Sequence, residues 1–351
     1  MKSIQIEDFT INDESHCYII AEAGVNHNGN LEMALELVRQ AKEIGVDCVK
    51  FQTFKAESVI TKNAPKANYQ LEVTDPSESQ FEMLKKLELT HKDYLRIIDE
   101  CKKHKITFLS TPYNEEDADF LNKLGVSAFK IASGQIVELS FLEYVAKFNK
   151  PMILSSGMAT LAEVFEAVTA IRNSGNNQIA ILQCTTNYPS RNEDANIRAM
   201  VSMGQSLDIL YGYSDHIEEN YACFASVALG AKIIEKHFTL DRTLPGPDHK
   251  ASLNIPEFKS LVEGIRKTEI VLGSPIKIPS PKEILNTQGM RRSIVLNTHL
   301  KKGEIITEEH VSFKRPATGI APKRIKELIG KRAAVDINPD EPLKEGMVAW
   351  D

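Results

Sequence analysis

The 351-residue sequence lacks the features that mark secreted, membrane-spanning and disulfide-stabilised proteins. Its N-terminal stretch has no apolar segment of the signal-peptide kind, and no later run approaches the roughly 18 apolar residues that a membrane span requires. The five cysteines are scattered and have no CxxC spacing, which argues against a disulfide framework and against a zinc ribbon. We therefore expect a cytoplasmic protein with no membrane partner.

The sequence also has no surplus of positive charge. Its formal net charge of −6 provides no overall basic field, so nucleic acid is not an expected partner. Any anion would have to be bound by local lysines and backbone amides. The apolar content of 42% and the charged content of 26% are ordinary for a soluble globular protein.

A third absence concerns dinucleotide binding. The glycine-rich turn Gly24–Gly29 does not contain the GxGxxG fingerprint of dinucleotide-binding folds. What the sequence does contain is a series of eight short apolar runs with β-type composition, separated by segments of helical spacing. The runs cover residues 17–22, 48–52, 106–110, 128–131, 152–155, 179–183, 208–212 and 231–235.

Strands that alternate with helices predict parallel βα units. Eight units within about 260 residues fit the usual size of a closed (β/α)8 TIM barrel, and an open doubly wound sheet is the alternative. The pattern ends after a helix near 255–272, so we expect a barrel domain at 1–272, a linker at 273–289 and a small β-rich domain at 290–351. Because about 60 residues form a marginal core, the small domain is expected to pack against something else, such as a second subunit.

Two histidines that close apolar strands are the first candidates for a site. His216 and His237 both fall at the carboxyl ends of predicted strands, where a parallel barrel carries its active site. Two imidazoles at adjacent strand ends can share one divalent metal ion and leave positions open for water and a substrate oxygen. The alternative is a pair of ordinary surface or core-edge histidines. The remaining histidines are expected at the surface: His16, His27, His91, His104, His249, His299 and His310.

Two lysines lie within apolar runs, where an unpaired ammonium group is costly to bury. We expect Lys50 and Lys130 to face an anion, and the alternative is an internal ion pair with Glu22 or Glu235. Hydroxyl groups that suit phosphate oxygens stand at further strand ends, although each could instead cap a helix: Ser110, Thr111, Ser133, Ser155, Thr185, Thr186 and Ser214. Together they predict a pocket for phosphate or carboxylate.

Two acidic residues are candidates for positioning water or a substrate hydroxyl. Glu22 ends the first strand, and Asp248 lies in a loop that two prolines and a glycine hold in place. For Asp248 the alternative is a local turn or a helix N-cap. Anion-binding groups beside an open metal site suggest a reaction that joins a phosphorylated or carboxylated three-carbon unit to a carbonyl compound.

These residues lie in eight ordered motifs that closely resemble the sialic acid (N-acetylneuraminate) synthase family, which includes the legionaminic acid synthases. The motifs are AEAGVNHNG at 21–29, VKFQTF at 49–54, STP at 110–112, FKIASG at 129–134, SSGM at 155–158, YSDH at 213–216, EKHF at 235–238 and GPDH at 246–249. The C-terminal segments FKRP at 313–316 and LIGK at 328–331 resemble the family's antifreeze-like (SAF) domain. The resemblance covers essentially the whole chain.

The resemblance implies a transferase that forms a carbon–carbon bond. The family condenses phosphoenolpyruvate with an N-acetylmannosamine-type sugar to give nine-carbon nonulosonic acids. The implied mechanism has C3 of phosphoenolpyruvate attack the open-chain sugar aldehyde, after which water adds at C2 and phosphate leaves by C–O cleavage. The family also implies a homodimer in which the SAF domain of one subunit reaches over the partner's barrel.

Carried over position by position, the resemblance assigns roles to the candidates. His216 and His237 become the ligands of a divalent metal ion, Mn²⁺ first, with Mg²⁺ or Co²⁺ as alternatives. The positions expected around phosphoenolpyruvate are Lys50, Thr111, Lys130, Ser133, Ser155, Thr186 and Ser214. The positions expected around the sugar are Gln52, Gln135, Tyr188, Asp248 and Arg315, of which Arg315 matches a domain-swapped arginine that meets the N-acyl group. The catalytic group comprises Glu22, Glu235, Asp248 and the two histidines.

Two positions depart from the family pattern and bear on the choice of sugar. Gln135 stands where many synthases have glutamate, and Thr186 stands where some have asparagine. The stretches 66–70, 78–80 and 246–253 resemble the legionaminic and enteric sialic acid branch. We therefore predict N-acetylneuraminate or N,N'-diacetyllegionaminate as the product, with pseudaminic acid or sialic acid 9-phosphate as alternatives. An inactive carbohydrate-binding scaffold is the alternative from another functional class.

Overall fold

The computed structural model describes residues 2–67, 70–71, 74–75 and 77–350, and it divides the chain into two compact units, Met1–Gly273 and Ser274–Asp351. Asn68 and Tyr69, which belong to the stretch that resembles the legionaminic branch, lie outside the described residues. Within the described ranges, no helix is both long and apolar enough to cross a membrane.

The first unit opens with an antiparallel hairpin of β1 (Ser3–Ile6) and β2 (Phe9–Asn12). Alternation along these strands points Ile4, Ile6 and Ile11 to one face, and all three are buried. Their side chains pack into an apolar cluster with residues from the barrel strands, including Ile20 and Ile233. The hairpin therefore closes the amino-terminal end of the barrel.

Eight parallel strands follow and form one sheet. They are β3 (Tyr18–Gly24), β4 (Cys48–Thr53), β5 (Thr107–Pro112), β6 (Phe129–Ile131), β7 (Met152–Ser155), β8 (Ile179–Cys184), β9 (Leu210–Asp215) and β10 (Ile233–His237). The order across the sheet is β5-β4-β3-β10-β9-β8-β7-β6. The two end strands, β5 and β6, contact each other, so the sheet rolls into a barrel and the predicted fold class is confirmed.

Helices surround the barrel and cover its outer face. They are α1 (Leu31–Ile44), α2 (Ala56–Val59), α3 (Gln80–Lys86), α4 (His91–His104), α5 (Glu115–Leu124), α6 (Leu139–Ala146), α7 (Leu161–Asn173), α8 (Arg198–Leu207), α9 (Tyr221–Ala228) and α10 (Ile255–Leu272). Because both faces of the strands are covered, their sequences are nearly continuous apolar runs. Capping boxes such as Thr160 with Glu163 start several of the helices.

Alternation along the strands stacks the barrel interior in two layers. The lower layer is apolar and contains Ile20, Cys48, Leu109, Ala128, Ile153, Leu182 and Ile233. Two residues further along the same strands come Glu22, Lys50, Thr111, Lys130, Ser155, Cys184 and Glu235, all of them buried. Since side chains two apart point to the same face, the polar layer lies directly above the apolar layer, at the carboxyl ends of the strands.

The second unit has its own apolar core, which includes Ile294, Leu296, Ile306, Leu328 and Ile337. Its elements are α11 (Pro281–Met290), β11 (Ser293–Leu296), β12 (Val311–Lys314), α12 (Ile325–Leu328), β13 (Arg332–Ala333) and β14 (Val348–Ala349), with β11 paired to β12 and β13 to β14. Most of α11 falls within the segment expected to be a linker. Ser280 and Glu283 form a capping box there, and Pro281 occupies the first turn, which together start a helix.

Candidate functional site

The polar layer of the barrel lines a cavity of about 320 Å³ at the carboxyl ends of the strands. Fourteen of the predicted site residues line it: Glu22, Lys50, Gln52, Thr111, Lys130, Ser133, Gln135, Ser155, Thr186, Tyr188, Ser214, His216, Glu235 and His237. Sequence reasoning missed three further lining residues with ionisable side chains, Tyr113, Glu138 and Cys184. Cys184 could have been found, because it stands two residues after the buried Leu182 on β8 and so points to the same face.

A buried network of two lysines and two glutamates occupies the floor of the cavity. Lys50 Nζ lies 2.5 Å from Glu22 Oε2 and 3.9 Å from Glu235 Oε2, and Lys130 Nζ lies 3.3 Å from Glu235 Oε1. Each of the four side chains is at most 6% exposed. The internal Lys–Glu pairing that we kept as the alternative is therefore present in the structure, and any anion that enters must share these lysines with the carboxyl groups.

Hydroxyl groups surround the network and share hydrogen bonds with three of its four members. Lys50 Nζ donates to Thr111 Oγ1 over 3.2 Å, and Lys130 Nζ donates to Ser155 Oγ over 2.7 Å. Ser214 Oγ donates to Glu235 Oε1 over 3.0 Å. These hydroxyls lie beside the ammonium groups rather than at helix N-caps, so they are available to phosphate or carboxylate oxygens at the same place.

Burial and neighbouring charges shift the pKa values of the two carboxyl groups in opposite directions. Burial raises the pKa of Glu22 to about 7, although Lys50 opposes that rise, and Glu235 adds to it. Burial would raise the pKa of Glu235 as well, but Lys130 and Lys50 outweigh it and the pKa is lowered. Glu235 therefore holds its negative charge, while Glu22 can gain or lose a proton near neutral pH.

The pKa values of Lys50 and Lys130 also shift in opposite directions. Burial acts to lower the pKa of Lys50, but Glu22 and Glu235 outweigh burial and the pKa is raised. Burial lowers the pKa of Lys130, which Glu235 opposes without overcoming it. The surroundings thus stabilise the ammonium form of Lys130 less than that of Lys50, and an anion bound beside Lys130 would add to that stabilisation.

The two candidate metal ligands meet at the rim of the cavity. The ring centroids of His216 and His237 are 5.3 Å apart, and the Tyr188 ring lies 4.0 Å from that of His216. His216 Nδ1 donates to the Thr185 carbonyl over 2.7 Å, which leaves Nε2 as the free nitrogen. His237 Nδ1 is buried and, among the described residues, has no hydrogen-bond partner. Burial lowers the pKa of His237 well below its usual value, so the ring is neutral and its lone pair is available.

This donor set fits an open metal site rather than a closed one. Across the described residues, no group of three or more His, Cys, Asp and Glu side chains is arranged to hold a metal ion. Two imidazoles would therefore leave most coordination positions to water and substrate. Burial acts to lower the pKa of His216, but negative charge on the Cys184 sulfur, which lies 3.9 Å from Nδ1, together with the hydrogen bond to Thr185, outweighs burial and the pKa is raised. A metal ion must compete with a proton for His216, so metal affinity should fall as the pH falls.

Glycine at position 24 makes room for the site. Gly24 has a φ of +52°, which disfavours a larger residue, and a Cβ atom there would lie 3.3 Å from Glu22 Oε1 and 3.4 Å from His237 Cε1. The pairing of β3 with β4 is irregular between Glu22 and Gly24. The end of β3 is thereby bent so that Glu22, Gln52 and His237 can face the same cavity.

Gln52 and Gln135, the two amide side chains expected near the sugar, have different hydrogen-bond partners. Gln52 Nε2 donates to Glu22 Oε1 over 3.1 Å, and Tyr113 Oη donates to Gln52 Oε1 over 3.2 Å. Gln135 bonds to backbone at both ends, since Nε2 donates to the Pro112 carbonyl and Oε1 accepts from the Ala132 amide. A glutamate at position 135 could not donate to Pro112, so glutamine here supports the loop as well as lining the cavity.

Asp248 lies in a second cavity of about 230 Å³ that adjoins the first. The two cavities share Gln52, Tyr113, Tyr188 and His237, and the second is otherwise lined mainly by Val25, Phe54, Val59, Met83, Leu84, Pro247, Gln70, Gln80 and Asp248. Asp248 Oδ2 is 3.8 Å from His237 Nδ1. Burial raises the pKa of Asp248 to about 6, which His216 and Lys50 oppose. Arg315 belongs to the second unit and directly follows β12.

Two histidines that we expected at the surface are buried, and that expectation was wrong. His27 is 1% exposed and His249 is 0% exposed. His249 Nε2 lies 3.2 Å from Asn28 Oδ1, and its Nδ1 lies 2.7 Å from Thr239 Oγ1. These contacts tie the loop that carries Asp248 to the loop after β3. The sequence carries no signal for this, because both histidines occur in loops without periodic spacing.

Comparisons with known proteins agree with this geometry. A model described as the NeuB family matches residues 37–277, and one described as the SAF domain matches residues 291–349. The N,N'-diacetyllegionaminic acid synthase of Campylobacter jejuni is 46% identical over 93% of this chain and 98% of its own. The enzyme of the same name from Legionella pneumophila is 44% identical over 93% of each chain. The crystal structure of the Bacillus subtilis spore coat polysaccharide biosynthesis protein covers 99% of both chains at 36% identity, with a TM-score of 0.68.

Proposed function

The chain belongs to the NeuB family and carries a SAF domain, and from this premise we propose that it condenses phosphoenolpyruvate with an N-acetylmannosamine-type sugar. The products are a nonulosonic acid and inorganic phosphate. The observation that carries the proposal is the cavity at the carboxyl ends of the strands, which gathers Lys50, Lys130, Glu22, Glu235, His216 and His237. Relatives that are 44–46% identical over nearly their whole length bear the names of synthases of this kind.

The lysine and hydroxyl groups are suited to the two anionic ends of phosphoenolpyruvate. Lys130 with Ser155, and Lys50 with Thr111, each present an ammonium group beside a hydroxyl group. With Glu22 protonated, the network sets two ammonium groups against the one carboxylate of Glu235, which leaves positive charge for the substrate. We assign Ser133, Thr186 and Ser214 to the same substrate because they line the same cavity.

His216 and His237 would hold the divalent metal ion on which synthases of this family generally depend. We propose Mn²⁺, with Mg²⁺ or Co²⁺ as alternatives, because two imidazole nitrogens with oxygen ligands from water and substrate suit such ions. A bound ion would supply Lewis acidity to the carbonyl oxygen of the sugar. Thr185 orients the His216 ring through Nδ1, and burial keeps His237 neutral, so both rings are prepared for this role.

Glu22 is our candidate for managing charge and protons at the reacting carbons. In the reaction, C3 of phosphoenolpyruvate bonds to the aldehyde carbon, and the aldehyde oxygen gains a proton. Water adds to C2 and loses a proton, and the C–O bond to phosphate breaks. Glu22 is held by Lys50 and Gln52, and its pKa of about 7 lets it accept or release a proton at neutral pH.

The second cavity favours an acceptor that carries methyl groups and no phosphate. Six of its thirteen described lining residues are apolar, three are glutamines and two are tyrosines, and among them Asp248 carries the one formal charge. A phosphate at C6 of the sugar would find no lysine or arginine among these described residues and would be repelled by Asp248. A 2,4-diacetamido-2,4,6-trideoxy sugar, with its methyl groups, suits the cavity better. We therefore propose N,N'-diacetyllegionaminate as the product, ahead of N-acetylneuraminate.

The remaining assignments concern the assembly and the sugar's N-acyl group. We propose a homodimer in which Arg315 of one subunit meets the N-acyl group of the sugar bound by the other. A barrel domain at 1–272 and a SAF domain at 290–351 would then act together. The rest of the sugar would contact the second cavity and the side chains of Gln52, Tyr188, Gln135 and Asp248.

The experiment is phosphate release from phosphoenolpyruvate with added Mn²⁺. The acceptors are N-acetylmannosamine, its 6-phosphate and 2,4-diacetamido-2,4,6-trideoxymannose, each with and without a chelator. We expect chelator-sensitive release, fastest with the diacetamido sugar. His237→Ala should abolish release, whereas His299→Ala, at an exposed position of the second unit, should not change it. No release with any of the sugars would contradict the proposal and would favour a carbohydrate-binding scaffold.

A further inference from the structure

A fully buried ion pair lies on the outer side of the two strands that carry the metal-ligand candidates. Asp215 and Lys236 immediately precede His216 and His237, and they pair with each other across β9 and β10. Asp215 is 0% exposed and Lys236 is 1% exposed. Lys236 Nζ lies 2.5 Å from Asp215 Oδ2. Because side chains alternate along a strand, this pair points away from the cavity that the histidines face.

The ammonium group of Lys236 has as many acceptors as it has protons. Besides Asp215, it donates to the carbonyl of Ile217 over 2.5 Å and to the carbonyl of Glu219 over 2.8 Å. Both carbonyls belong to the segment that directly follows His216. A single side chain on β10 therefore holds the backbone that leaves β9, and it does so one residue away from His237.

Asp215 fixes the same segment from its other oxygen. Oδ1 accepts the amide proton of Ile217 over 3.0 Å, and Oδ2 also accepts from the thiol of Cys223 over 3.1 Å. The backbone on either side of His216 is thus bound to the ion pair. Two contacts from the loop after β8 also hold His216. The Thr185 carbonyl accepts from the His216 ring, and the amide of Ser190 donates to the His216 carbonyl over 2.8 Å.

Stability alone does not account for such a pair. Removing two charges from water is expensive, and well-packed apolar side chains of similar size are often equally stable or more stable. Neither residue lines a cavity of the site, so neither touches a substrate there. What the pair does provide is a fixed geometry between the end of β9 and the end of β10, where His216 and His237 stand.

We propose that Lys236 and Asp215 are positioning residues that set the His216 and His237 rings at the separation a shared divalent ion requires. This inference rests on the proposed function, because it assumes that the two histidines bind a metal ion. Removal of the pair should weaken metal binding while the fold persists. Without the pair, no side chain on the outer side of the strands would hold the backbone that follows His216.

The test compares metal affinity with folding stability. In Asp215→Asn with Lys236→Met, no unpaired charge is left, and asparagine can still accept from Ile217, but the bonds to the two carbonyls are lost. We expect this double variant to bind Mn²⁺ about 10- to 100-fold more weakly in titrations followed by electron paramagnetic resonance, without substrates. The matched control is Asp47→Asn with Arg266→Met, which removes the ion pair between Asp47 and Arg266, outside the cavity, and should leave Mn²⁺ affinity unchanged.

A second variant covers the case in which the double variant does not fold. Lys236→Arg keeps the charge, but a planar guanidinium cannot direct its protons to the same three acceptors. It should also bind Mn²⁺ more weakly while its thermal unfolding shows a folded protein. Unchanged Mn²⁺ affinity in either folded variant would overturn the inference.

The outcomes separate this inference from the proposed reaction. If the wild-type protein releases phosphate but binds no Mn²⁺, the positioning role fails and the condensation stands. If Mn²⁺ binds and the variants weaken it, but no sugar supports phosphate release, the positioning role stands and the proposed reaction fails.

Discussion

At the scale of single residues, Glu22 and Glu235 have different ionisation behaviour although they share Lys50. Glu235 contacts both lysines and the Ser214 hydroxyl, all of which stabilise its negative charge. Glu22 has Lys50 as its one ammonium contact within 4 Å among the described residues, and the charge of Glu235 works against it. The cavity therefore contains one permanent carboxylate and one that titrates near pH 7.

This difference predicts a pH dependence of substrate binding. As the pH rises through about 7, Glu22 loses its proton and places a second negative charge beside Lys50. The KM for phosphoenolpyruvate should therefore rise with pH above that point, by at most about tenfold per pH unit for one proton. Phosphate release measured across this range checks the expectation.

Glu22→Gln tests the assignment of that pH dependence. The amide cannot ionise, so the KM of the variant should stay flat where that of the wild type rises. Turnover should fall by about 100-fold if Glu22 also transfers a proton. A variant with wild-type turnover and an unchanged pH profile would rule Glu22 out of both roles.

Lys130 offers a prediction that separates binding from stability. Lys130→Met leaves Glu235 with one lysine fewer, and breaking a buried pair in this way costs about 3–5 kcal/mol of unfolding free energy. It should also raise the KM for phosphoenolpyruvate. Adding Glu235→Gln should restore most of the stability, as measured by urea denaturation, without restoring substrate affinity. Lys147→Met, at an exposed position, is the control and should stay within about 0.5 kcal/mol of the wild type.

At the scale of elements, we expect substitutions in the apolar face of the amino-terminal hairpin to lower stability without lowering substrate affinity. Ile6 and Ile11 are 0% exposed, and they pack at the end of the barrel opposite the cavity. Ile6→Ala or Ile11→Ala should therefore lower the unfolding free energy by about 2–5 kcal/mol. The KM values should remain those of the wild type. Thr10→Val, at an exposed position of the same hairpin, should change neither quantity. A large KM change in the alanine variants would contradict the separation of the apolar layer from the polar layer that lines the cavity.

At the scale of the whole molecule, the proposed domain-swapped dimer can be tested by mixing two inactive variants. Arg315→Ala keeps an intact barrel, and Glu22→Gln keeps an intact Arg315. If Arg315 acts on the partner's sugar, refolding the two chains together in equal amounts should create heterodimers with one complete site, giving about a quarter of wild-type activity. If Arg315 acts within its own chain, the mixture should be no more active than its components.

The amino-acid sequence by itself determined the barrel and the end of it at which the polar residues gather. Continuous apolar runs indicate strands covered on both faces, and the helical segments between them require parallel pairing. Parallel strands place their carboxyl ends on one side, so residues in or just after the carboxyl-terminal halves of the strands, such as Lys50, Lys130, His216 and His237, converge there. The barrel and this convergence follow from alternation along each strand, which is a local property of the sequence.

The tertiary structure decided which side chains meet. Lys50 is paired with Glu22 because the register of β3 and β4 places them side by side, and Lys130 of β6 meets Glu235 of β10 because the closed barrel brings their side chains together in its interior. No single strand specifies either its register or the closure of the sheet. The same holds for the Asp215–Lys236 pair, for the burial of His27 and His249, and for the second cavity beside Asp248. Each of these arises from contacts between residues far apart in the chain, and such contacts have no periodic signature in the sequence.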